Sequence, residues 1–284
     1  MNNLVVRTLT GVLFVAALVG AIVISPLSFV IIFAVITGLA LWEYSSLMNE
    51  CAGVSVNRLI TTVAGVYLFL AFAAYLSGYQ GAEVFIPYLV TVIYLPIAEL
   101  YLKKADPLKN WAYAFAGQLY VALPFSLLTV LGFINTDVAP GQMVEYNYLL
   151  PLCIFIFLWT NDTGAYCCGS LLHKRFPAKL FERISPNKSW VGSIGGGILC
   201  LVAAAVLNIC FPDQMKLMQW FGFALTVCIF GTLGDLVESQ LKRHLGIKDS
   251  GNILPGHGGI LDRFDSSLMA IPATVVYFYT LNLF

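Results

Sequence analysis

Apolar stretches of about 20 residues recur along the whole chain, and they limit the fold more than any other feature. A helix of roughly 20 apolar residues crosses the hydrocarbon core of a bilayer, which is about 30 Å thick. About nine stretches approach this length, near residues 9–24, 27–47, 59–76, 84–102, 111–133, 148–168, 191–211, 218–237 and 266–284. The sequence therefore predicts an all-α, polytopic integral membrane protein with about nine transmembrane helices.

The composition agrees with this class. Charged residues make up only 11% of the 284 residues, whereas a soluble domain carries roughly 25%. The formal net charge is zero, so no basic field favours nucleic acid as a partner. The seven cysteines are odd in number, form no Cys-x-x-Cys pair and lie mostly in apolar stretches. This pattern indicates small apolar side chains in the core rather than disulfides or a zinc site.

Lysine and arginine in the loops predict the orientation of the chain. If the N-terminus is cytoplasmic, the basic loops around 58, 103–109, 174–188 and 242–263 all lie inside. The loops near 78–83 and 135–146, which carry no lysine or arginine, lie outside. We therefore expect a multi-pass protein of the cell inner (plasma) membrane, whose charge-rich loops face the compartment where nucleotides are found.

The first five spans carry little that suggests chemistry. Glu43 lies late in the second span and Glu99 late in the fourth. We expect both side chains to snorkel to the cytoplasmic interface, and a functional role is the alternative. We assign residues 1–110 to N-terminal transmembrane helices that serve packing or oligomerisation. Residues 111–284 are the expected C-terminal catalytic transmembrane domain.

Charge is concentrated in the stretch 239–265, SQLKRHLGIKDSGNILPGHGGILDRFD. It combines four cations and three carboxylates with the glycine-rich run 255–259. Glycines let backbone N–H groups approach anionic oxygens, cations neutralise these oxygens, and carboxylates hold a hard metal ion. The stretch is therefore a candidate metal–phosphate site, and a loop whose charges merely keep it in water is the alternative.

Two pairs of carboxylates lie at the ends of this stretch. Asp235 and Glu238 are spaced i, i+3 and share one helical face, and Lys242 lies one turn further if the helix continues. Asp262 and Asp265 have the same spacing at the start of the last span, where the helix dipole favours anions. Antiparallel helices joined by one loop can bring Asp235 and Asp262 together, as a magnesium ion that bridges phosphate oxygens requires.

The region upstream adds two features. Asp162 falls within an apolar run, and an intramembrane carboxylate is a functional candidate by default; a capped helix break at 161–164 is the alternative. Ser185 and Lys188 precede a glycine-rich helix start at 192–197, which can hold phosphate, although a proline-containing turn fits as well. For the glycines themselves, close packing of membrane helices is the favoured role.

The charged stretch resembles the signature of the phosphatidate cytidylyltransferases, also called CDP-diacylglycerol synthases. The matching segments are Ser239-x-Leu241-Lys242-Arg243, Lys248-Asp249 and Pro255-x-His257-Gly258-Gly259-x-x-Asp262-Arg263-x-Asp265. Upstream, the resemblance extends to Asp162-Thr163-Gly164-Ala165-Tyr166 and Ser185-Pro186-x-Lys188-Ser189-Trp190. One position departs from the pattern, since Val191 stands where many members carry a polar residue, often glutamate.

The resemblance implies that CTP and phosphatidate react to CDP-diacylglycerol and pyrophosphate in a polar cavity that faces the cytoplasm. It implies dependence on a divalent metal, with metal binding by the aspartates that match Asp235 and Asp262. The expected cofactor is Mg²⁺, and a second cation, monovalent or divalent, is left open. The expected partners are CTP, phosphatidate, the lipid bilayer and a second copy of the chain in a homodimer.

The residues of the signature receive roles within this implied reaction. Asp235 and Asp262 are the expected metal ligands, with Asp265 and Asp249 as further candidates. Four cations would neutralise the charge of the triphosphate and of phosphatidate: Lys242, Arg243, Lys248 and Arg263. Seven residues would bind substrate or shape its cavity: Ser185, Lys188, His257, Gly258, Gly259, Asp162 and Ser239. For Arg263 and Asp265, an ion pair that fixes the loop is the alternative.

Two other functions share these features. A transporter or channel also combines many spans with intramembrane acids, but it predicts charges along a through-path and matching features on the external side. A CTP-dependent lipid kinase would transfer the terminal phosphoryl group and release CDP. Residue chemistry alone does not separate this kinase from a cytidylyltransferase, and the signature favours cytidylyl transfer.

Overall fold

The computed structural model describes residues 3–133, 144–172, 175–251, 253 and 258–281, with side chains from residue 8 onward. These residues belong to two compact units. Of the described residues, the first unit comprises 3–133, 144–151, 245–251, 253 and 258–264, and the second comprises 152–172, 175–244 and 265–281.

The first unit consists mainly of helices, which are α1 (Asn3–Ile24), α2 (Pro26–Cys51), α3 (Arg58–Leu76), α4 (Ile86–Tyr101), α5 (Pro107–Gly117) and α6 (Leu123–Gly132). A 3₁₀ turn at Ala82–Phe85 precedes α4, and a π-helical turn at Gln118–Ala122 joins α5 to α6. Two further helices contribute residues to both units, α7 (Leu149–Leu172) and α10 (Leu261–Thr280). The second unit also contains β1 (Lys179–Phe181), β2 (Ser185–Ser189), α8 (Trp190–Cys210) and α9 (Leu217–His244).

Local capping explains where α2 begins. Ser25 separates α1 from α2, and its hydroxyl oxygen accepts a 3.0 Å hydrogen bond from the N–H of Ser28. The Ser28 hydroxyl oxygen in turn accepts from the Ser25 N–H at 3.1 Å, and Pro26 occupies the first helical position. This reciprocal cap satisfies N–H groups that have no partner inside the helix.

Aromatic packing forms the core of the first unit. Phe29, Phe33, Phe125 and Phe264 are fully buried. The ring centroids of Phe29 and Phe33 are 5.0 Å apart, and those of Phe125 and Phe264 are 5.3 Å apart. Helix association inside a bilayer depends on such packing contacts, because lipid tails are as apolar as the side chains. Phe264 thereby anchors the first turn of α10 within this unit.

Glycines allow α7 and α8 to pack closely in the second unit. A Cβ atom built on Gly164 would lie 2.9 Å from the Cα of Gly196, and one built on Gly196 would overlap the Asn161 side chain. A Cβ atom on Gly195 would overlap the Cys168 side chain. The packing role predicted for the glycines of α8 is therefore confirmed at Gly195 and Gly196.

A small antiparallel hairpin, which the sequence did not predict, precedes α8. Strands β1 and β2 pair with Lys179 opposite Ser189 and Phe181 opposite Ser185. The Ser189 hydroxyl oxygen then caps α8 by accepting the N–H of Gly192 at 3.1 Å. The remainder of the described chain carries helices and loops, so the all-α fold class is confirmed apart from this hairpin.

Six helical segments in the described part of the chain are long and apolar enough to cross a membrane: Pro26–Cys51, Arg58–Leu76, Ala82–Tyr101, Pro107–Gly132, Trp190–Cys210 and Leu217–His244. These segments support a multi-pass membrane protein. The count of about nine spans is not confirmed and, like the identity of the membrane and the orientation, stays a prediction. All seven cysteines are free; Cys153, Cys200 and Cys228 are buried, whereas Cys51, Cys167 and Cys210 are exposed.

Candidate active site

The second unit contains an open, polar cavity of about 600 Å³. This volume lies within the range of small-molecule binding sites. Most of the side chains that line the cavity are polar, and they are Asn161, Asp162, Tyr166, Ser170, Lys179, Asn187, Lys188, Ser189, Ser193, Thr232, Asp235 and Ser266. A cavity with two lysines, two carboxylates and several hydroxyl and amide groups suits a ligand that carries both anionic and hydrogen-bonding groups.

Lys188 and Asp235 form an ion pair in this cavity. The Lys188 Nζ atom lies 2.5 Å from Asp235 Oδ2, and it also donates to the carbonyl oxygen of Thr232 at 3.4 Å. The Ser239 hydroxyl donates to Asp235 Oδ1 at 3.1 Å. The side chains of Lys188 and Asp235 are 23% and 32% exposed. The structure therefore brings three residues of the expected site together, and a ligand in the cavity can reach the ion pair.

Asp162 lies on an unbroken helix. The α7 helix continues past this residue to Leu172, so the alternative of a helix break at 161–164 is wrong. Asp162 is exposed and lines the cavity together with Tyr166 and Ser170, which lie one and two turns further along α7. Its position agrees with the polar cavity expected from the sequence, and its role in binding stays a prediction.

The last turns of α9 carry a buried ion pair. The α9 helix continues past the predicted end of the span at Val237 to His244, so Lys242 lies one turn beyond Glu238. The Lys242 Nζ atom is 3.0 Å from Glu238 Oε2, and the two side chains are 12% and 2% exposed. Glu238, which was not among the expected site residues, is therefore the carboxylate that holds Lys242.

Asp265 belongs to the same region of the second unit. Its carboxylate lies within electrostatic range of Asp235, Glu238 and Lys242. The approach is close because Gly234 faces α10, where a Cβ atom would lie 2.7 Å from the carbonyl oxygen of Asp265. The start of α10 at Asp265 therefore lies close to the part of α9 that carries Asp235 and Glu238.

The β2 strand orients its two expected site residues differently. Lys188 and Ser189 line the cavity, and the N-terminus of α8 that Ser189 caps lies there too, since Gly192 is also a lining residue. Ser185 lies at the other end of β2, opposite Phe181, and is half-buried. It does not belong to the described residues that line the cavity, so its predicted contact with phosphate stays untested.

Arg243 lines a second open cavity, of about 560 Å³, in the same unit. The lining residues are Arg183, Ile184, Val237, Gln240, Leu241, Arg243 and His244. Positions 237, 240, 241 and 244 follow helical spacing on the face of α9 opposite Asp235. The side chains of Lys242 and Arg243 therefore lie in different environments, although both were expected to neutralise the charge of the same substrates.

Asp262 lies in the first unit, at the start of α10. Its Oδ2 atom accepts hydrogen bonds from the Ser250 N–H at 2.8 Å, the Ser250 hydroxyl at 2.9 Å and the Gly259 N–H at 2.9 Å. Gly258 has a φ of +82°, and a Cβ atom on it would lie 2.6 Å from the same oxygen. The two glycines thus let the backbone approach the Asp262 carboxylate, and their predicted approach to phosphate stays a prediction.

Glu43 is a candidate that the sequence did not single out for function. It is 5% exposed, so the expectation that it snorkels to the interface is wrong. Its carboxylate accepts the Ile260 N–H at 2.8 Å and the Leu261 N–H at 3.2 Å, and it also contacts the Ser250 hydroxyl. The other expected snorkelling residue, Glu99, is largely buried too and pairs with Lys104 at 3.2 Å.

The remaining expected residues of the charged stretch lie at the surface of the first unit or outside the described residues. Lys248, Asp249 and Arg263 are exposed. His257 lies outside the described residues. Nothing in the positions of these residues assigns them a substrate or a metal ion, so their roles stay predictions.

The predicted meeting of Asp235 and Asp262 also stays a prediction, because the two aspartates belong to different units. Among the described histidine, cysteine, aspartate and glutamate residues, no group of three or more is placed to hold a metal ion. The chemistry of the donors around Asp235 nevertheless fits a hard cation, since carboxylate and hydroxyl oxygens are the ligands that Mg²⁺ prefers.

Known proteins resemble this chain along nearly its whole length. A sequence model of the cytidylyltransferase family matches residues 5–281. The chain is 33% identical to a phosphatidate cytidylyltransferase of Bacillus subtilis (strain 168) over 270 residues, which are 94% of each chain. It is 34% identical to a phosphatidate cytidylyltransferase of Staphylococcus aureus (strain COL) over 269 residues, 94% of this chain and 96% of the relative. Identity reaches 50% over 123 residues with the enzyme of the same name from Staphylococcus haemolyticus, 43% of this chain and 45% of the relative. The chain is therefore a nucleotidyltransferase and belongs to the cytidylyltransferase family.

Proposed function

We propose that this protein transfers the cytidylyl group of CTP to phosphatidate, which yields CDP-diacylglycerol and pyrophosphate. Relatives that align over nearly the whole chain are named phosphatidate cytidylyltransferases. The structural observation that supports the proposal is the open polar cavity of the second unit, where Lys188 and Asp235 form an accessible ion pair.

The reaction needs no nucleophilic side chain. A phosphate oxygen of phosphatidate forms a bond to the α-phosphorus of CTP, while the bond from that phosphorus to the bridging oxygen of the β-phosphate breaks. Pyrophosphate leaves on the side opposite the attacking oxygen, and it keeps the electron pair of the broken bond. Catalysis of such a transfer consists mainly of positioning and charge neutralisation.

Residues of the second unit can supply both functions. Lys188 provides a cation inside the cavity, and the N-terminus of α8, which Ser189 caps, lines the same space. Helix N-termini and ammonium groups are common partners of phosphate. We assign the CTP phosphates to this side of the cavity, and Asp162 to the wall that α7 lines.

The proposed cofactor is Mg²⁺, held by Asp235 and Asp262 with Asp265 and Asp249 as further ligand candidates. The ion would neutralise charge on phosphate oxygens when bound. The accessible Asp235 carboxylate and the Ser239 hydroxyl beside it have suitable donor chemistry. A second cation, a homodimer and a cytoplasm-facing site in the inner membrane complete the proposal, with residues 111–284 as its catalytic part.

Labelled CTP tests the proposal directly. The purified protein in detergent receives phosphatidate, Mg²⁺ and CTP labelled on the α-phosphate in one reaction and on the γ-phosphate in another. We expect label in lipid from the α position only, lost in Asp262→Asn and retained in Asp213→Asn, which changes an exposed loop carboxylate. Label from the γ position would establish a lipid kinase instead. No transfer by folded protein that binds neither substrate would overturn the enzyme assignment and favour a transporter.

A further inference from the structure

We propose that Glu43 is a positioning residue for Asp262. This inference rests on the proposed function in one respect, since it takes Asp262 to contribute to cytidylyl transfer. Glu43 lies on α2 and Asp262 on α10, and both belong to the first unit. The contacts between them form a short chain of hydrogen bonds through Ser250 and the backbone that precedes Asp262.

The environment of Glu43 indicates a specific task for its charge. A carboxylate that is 5% exposed is costly unless hydrogen-bond donors surround it. Two of its donors are the N–H groups of Ile260 and Leu261, at 2.8 and 3.2 Å. These groups lie at the start of α10, where N–H groups lack partners inside the helix and the helix dipole favours an anion. Glu43 thus holds the turn that carries Asp262.

Ser250 links the two carboxylates directly. Its hydroxyl contacts Glu43 Oε1 and lies 2.9 Å from Asp262 Oδ2. A serine hydroxyl has one hydrogen to donate, so the two carboxylates compete for the hydrogen of this hydroxyl. A change in the Glu43 side chain therefore alters the hydrogen bonding of Ser250, and Ser250 transmits this change to Asp262.

The loop around these residues is shaped to admit Glu43. A Cβ atom on Gly251 would lie 2.9 Å from Glu43 Cδ, and one on Gly259 would overlap Glu43 Oε1. Gly259 also donates its N–H to Asp262 Oδ2. Position 259 therefore requires glycine because both carboxylates lie close to it, apart from any approach of its backbone to phosphate.

The variants Glu43→Gln and Ser250→Ala test the proposal, with Glu99→Gln as the matched control. Glu99 is another largely buried carboxylate of the first unit, and its partners are Lys104 and Asn110. Mutation of a residue that orients a metal-binding carboxylate typically lowers activity or metal affinity by about 10- to 100-fold. We expect Glu43→Gln and Ser250→Ala each to lower kcat by about 10-fold or more, with the KM for CTP within about twofold of wild type.

The double variant separates positioning from mere stabilisation. If Glu43 and Ser250 act as one unit on Asp262, Glu43→Gln combined with Ser250→Ala lowers kcat no further than the worse single variant. Ser250→Ala keeps the hydrogen bonds of Glu43 to the backbone, so it remains informative if Glu43→Gln does not fold. Multiplicative losses, or a loss of similar size in Glu99→Gln, would contradict the proposal.

A measurement without turnover completes the test. We expect Mg²⁺ to raise the thermal unfolding temperature of the wild type, and to raise that of Glu43→Gln by less. If the wild type transfers no label from α-labelled CTP, the proposed function fails, and this thermal shift still decides the role of Glu43. An equal shift in both proteins, or none in either, would overturn the inference.

Discussion

The Nζ atom of Lys188 lies 2.5 Å from Oδ2 of Asp235. This ion pair joins β2, the strand before α8, to α9. Both side chains remain partly exposed in the cavity, so the pair is accessible to an anionic ligand. In the proposed reaction, Lys188 would bind a phosphate group and Asp235 a metal ion, and the exposure of both side chains allows this. Replacing Lys188 is therefore the most direct way to test whether this cavity is the active site.

Replacing Lys188 with glutamine should lower kcat by about 100-fold, because the loss of one group that stabilises developing charge typically costs this much. The replacement removes the cation next to Asp235 while keeping a polar side chain in the cavity. The measurement is the initial rate of label transfer from α-labelled CTP to lipid, at varied CTP concentration.

The control for this variant is Lys216→Gln. Lys216 is an exposed lysine of the same unit that precedes α9. It should transfer label at the wild-type rate. A Lys188→Gln enzyme that also keeps the wild-type rate would show that the ion pair is not part of the active site.

A second prediction concerns the buried pair of Lys242 and Glu238. Lys242→Met alone leaves the Glu238 carboxylate, 2% exposed, without this cation. Breaking a buried ion pair on one side typically destabilises a protein by about 3–5 kcal/mol, whereas replacing both partners is often neutral. Lys242→Met should therefore unfold more easily in detergent, and Glu238→Gln combined with Lys242→Met should recover most of the stability.

Activity of the double variant shows whether Lys242 also acts on substrate. If Lys242 neutralises substrate charge, the stable double variant remains slow in the label-transfer assay. Recovery of the wild-type rate together with stability would contradict the predicted catalytic role and leave Lys242 as a structural partner of Glu238.

The sequence predicted the parts of this site that depend on local spacing. Helical periodicity places Asp235, Glu238 and Lys242 on one face, and the structure has them there because α9 continues to His244. The same rotation of about 100° per residue turns Arg243 away from Lys242. That separation follows from the helix, but the sequence does not show where the helix ends.

Contacts between distant segments were not predictable in the same way. Glu43 and Ser250 are separated by 207 positions, and each is an ordinary residue in its local context. The hairpin escaped prediction because its first strand has only three residues and lacks β-branched side chains. A glutamate inside an apolar span was nevertheless a usable signal, since a buried carboxylate needs donors from somewhere else in the fold.

The third prediction concerns the packing of α7 against α8, which positions part of the cavity wall. A Cβ atom on Gly196 would overlap Asn161, a cavity-lining residue whose Nδ2 atom donates to Thr232 Oγ1 at 3.2 Å. Gly196→Ala should therefore destabilise the protein by about 1–3 kcal/mol, as overpacking does, and raise the KM for CTP.

Gly197→Ala is the matched control in the same helix. A Cβ atom there would meet only Cys228 Sγ, at an ordinary 3.7 Å, and alanine favours a helix more than glycine. We expect this variant to be as stable as the wild type or slightly more stable, with an unchanged KM for CTP. Thermal unfolding in detergent and label-transfer kinetics measure the two effects. Equal behaviour of the two variants would mean that α7 and α8 do not pack through Gly196.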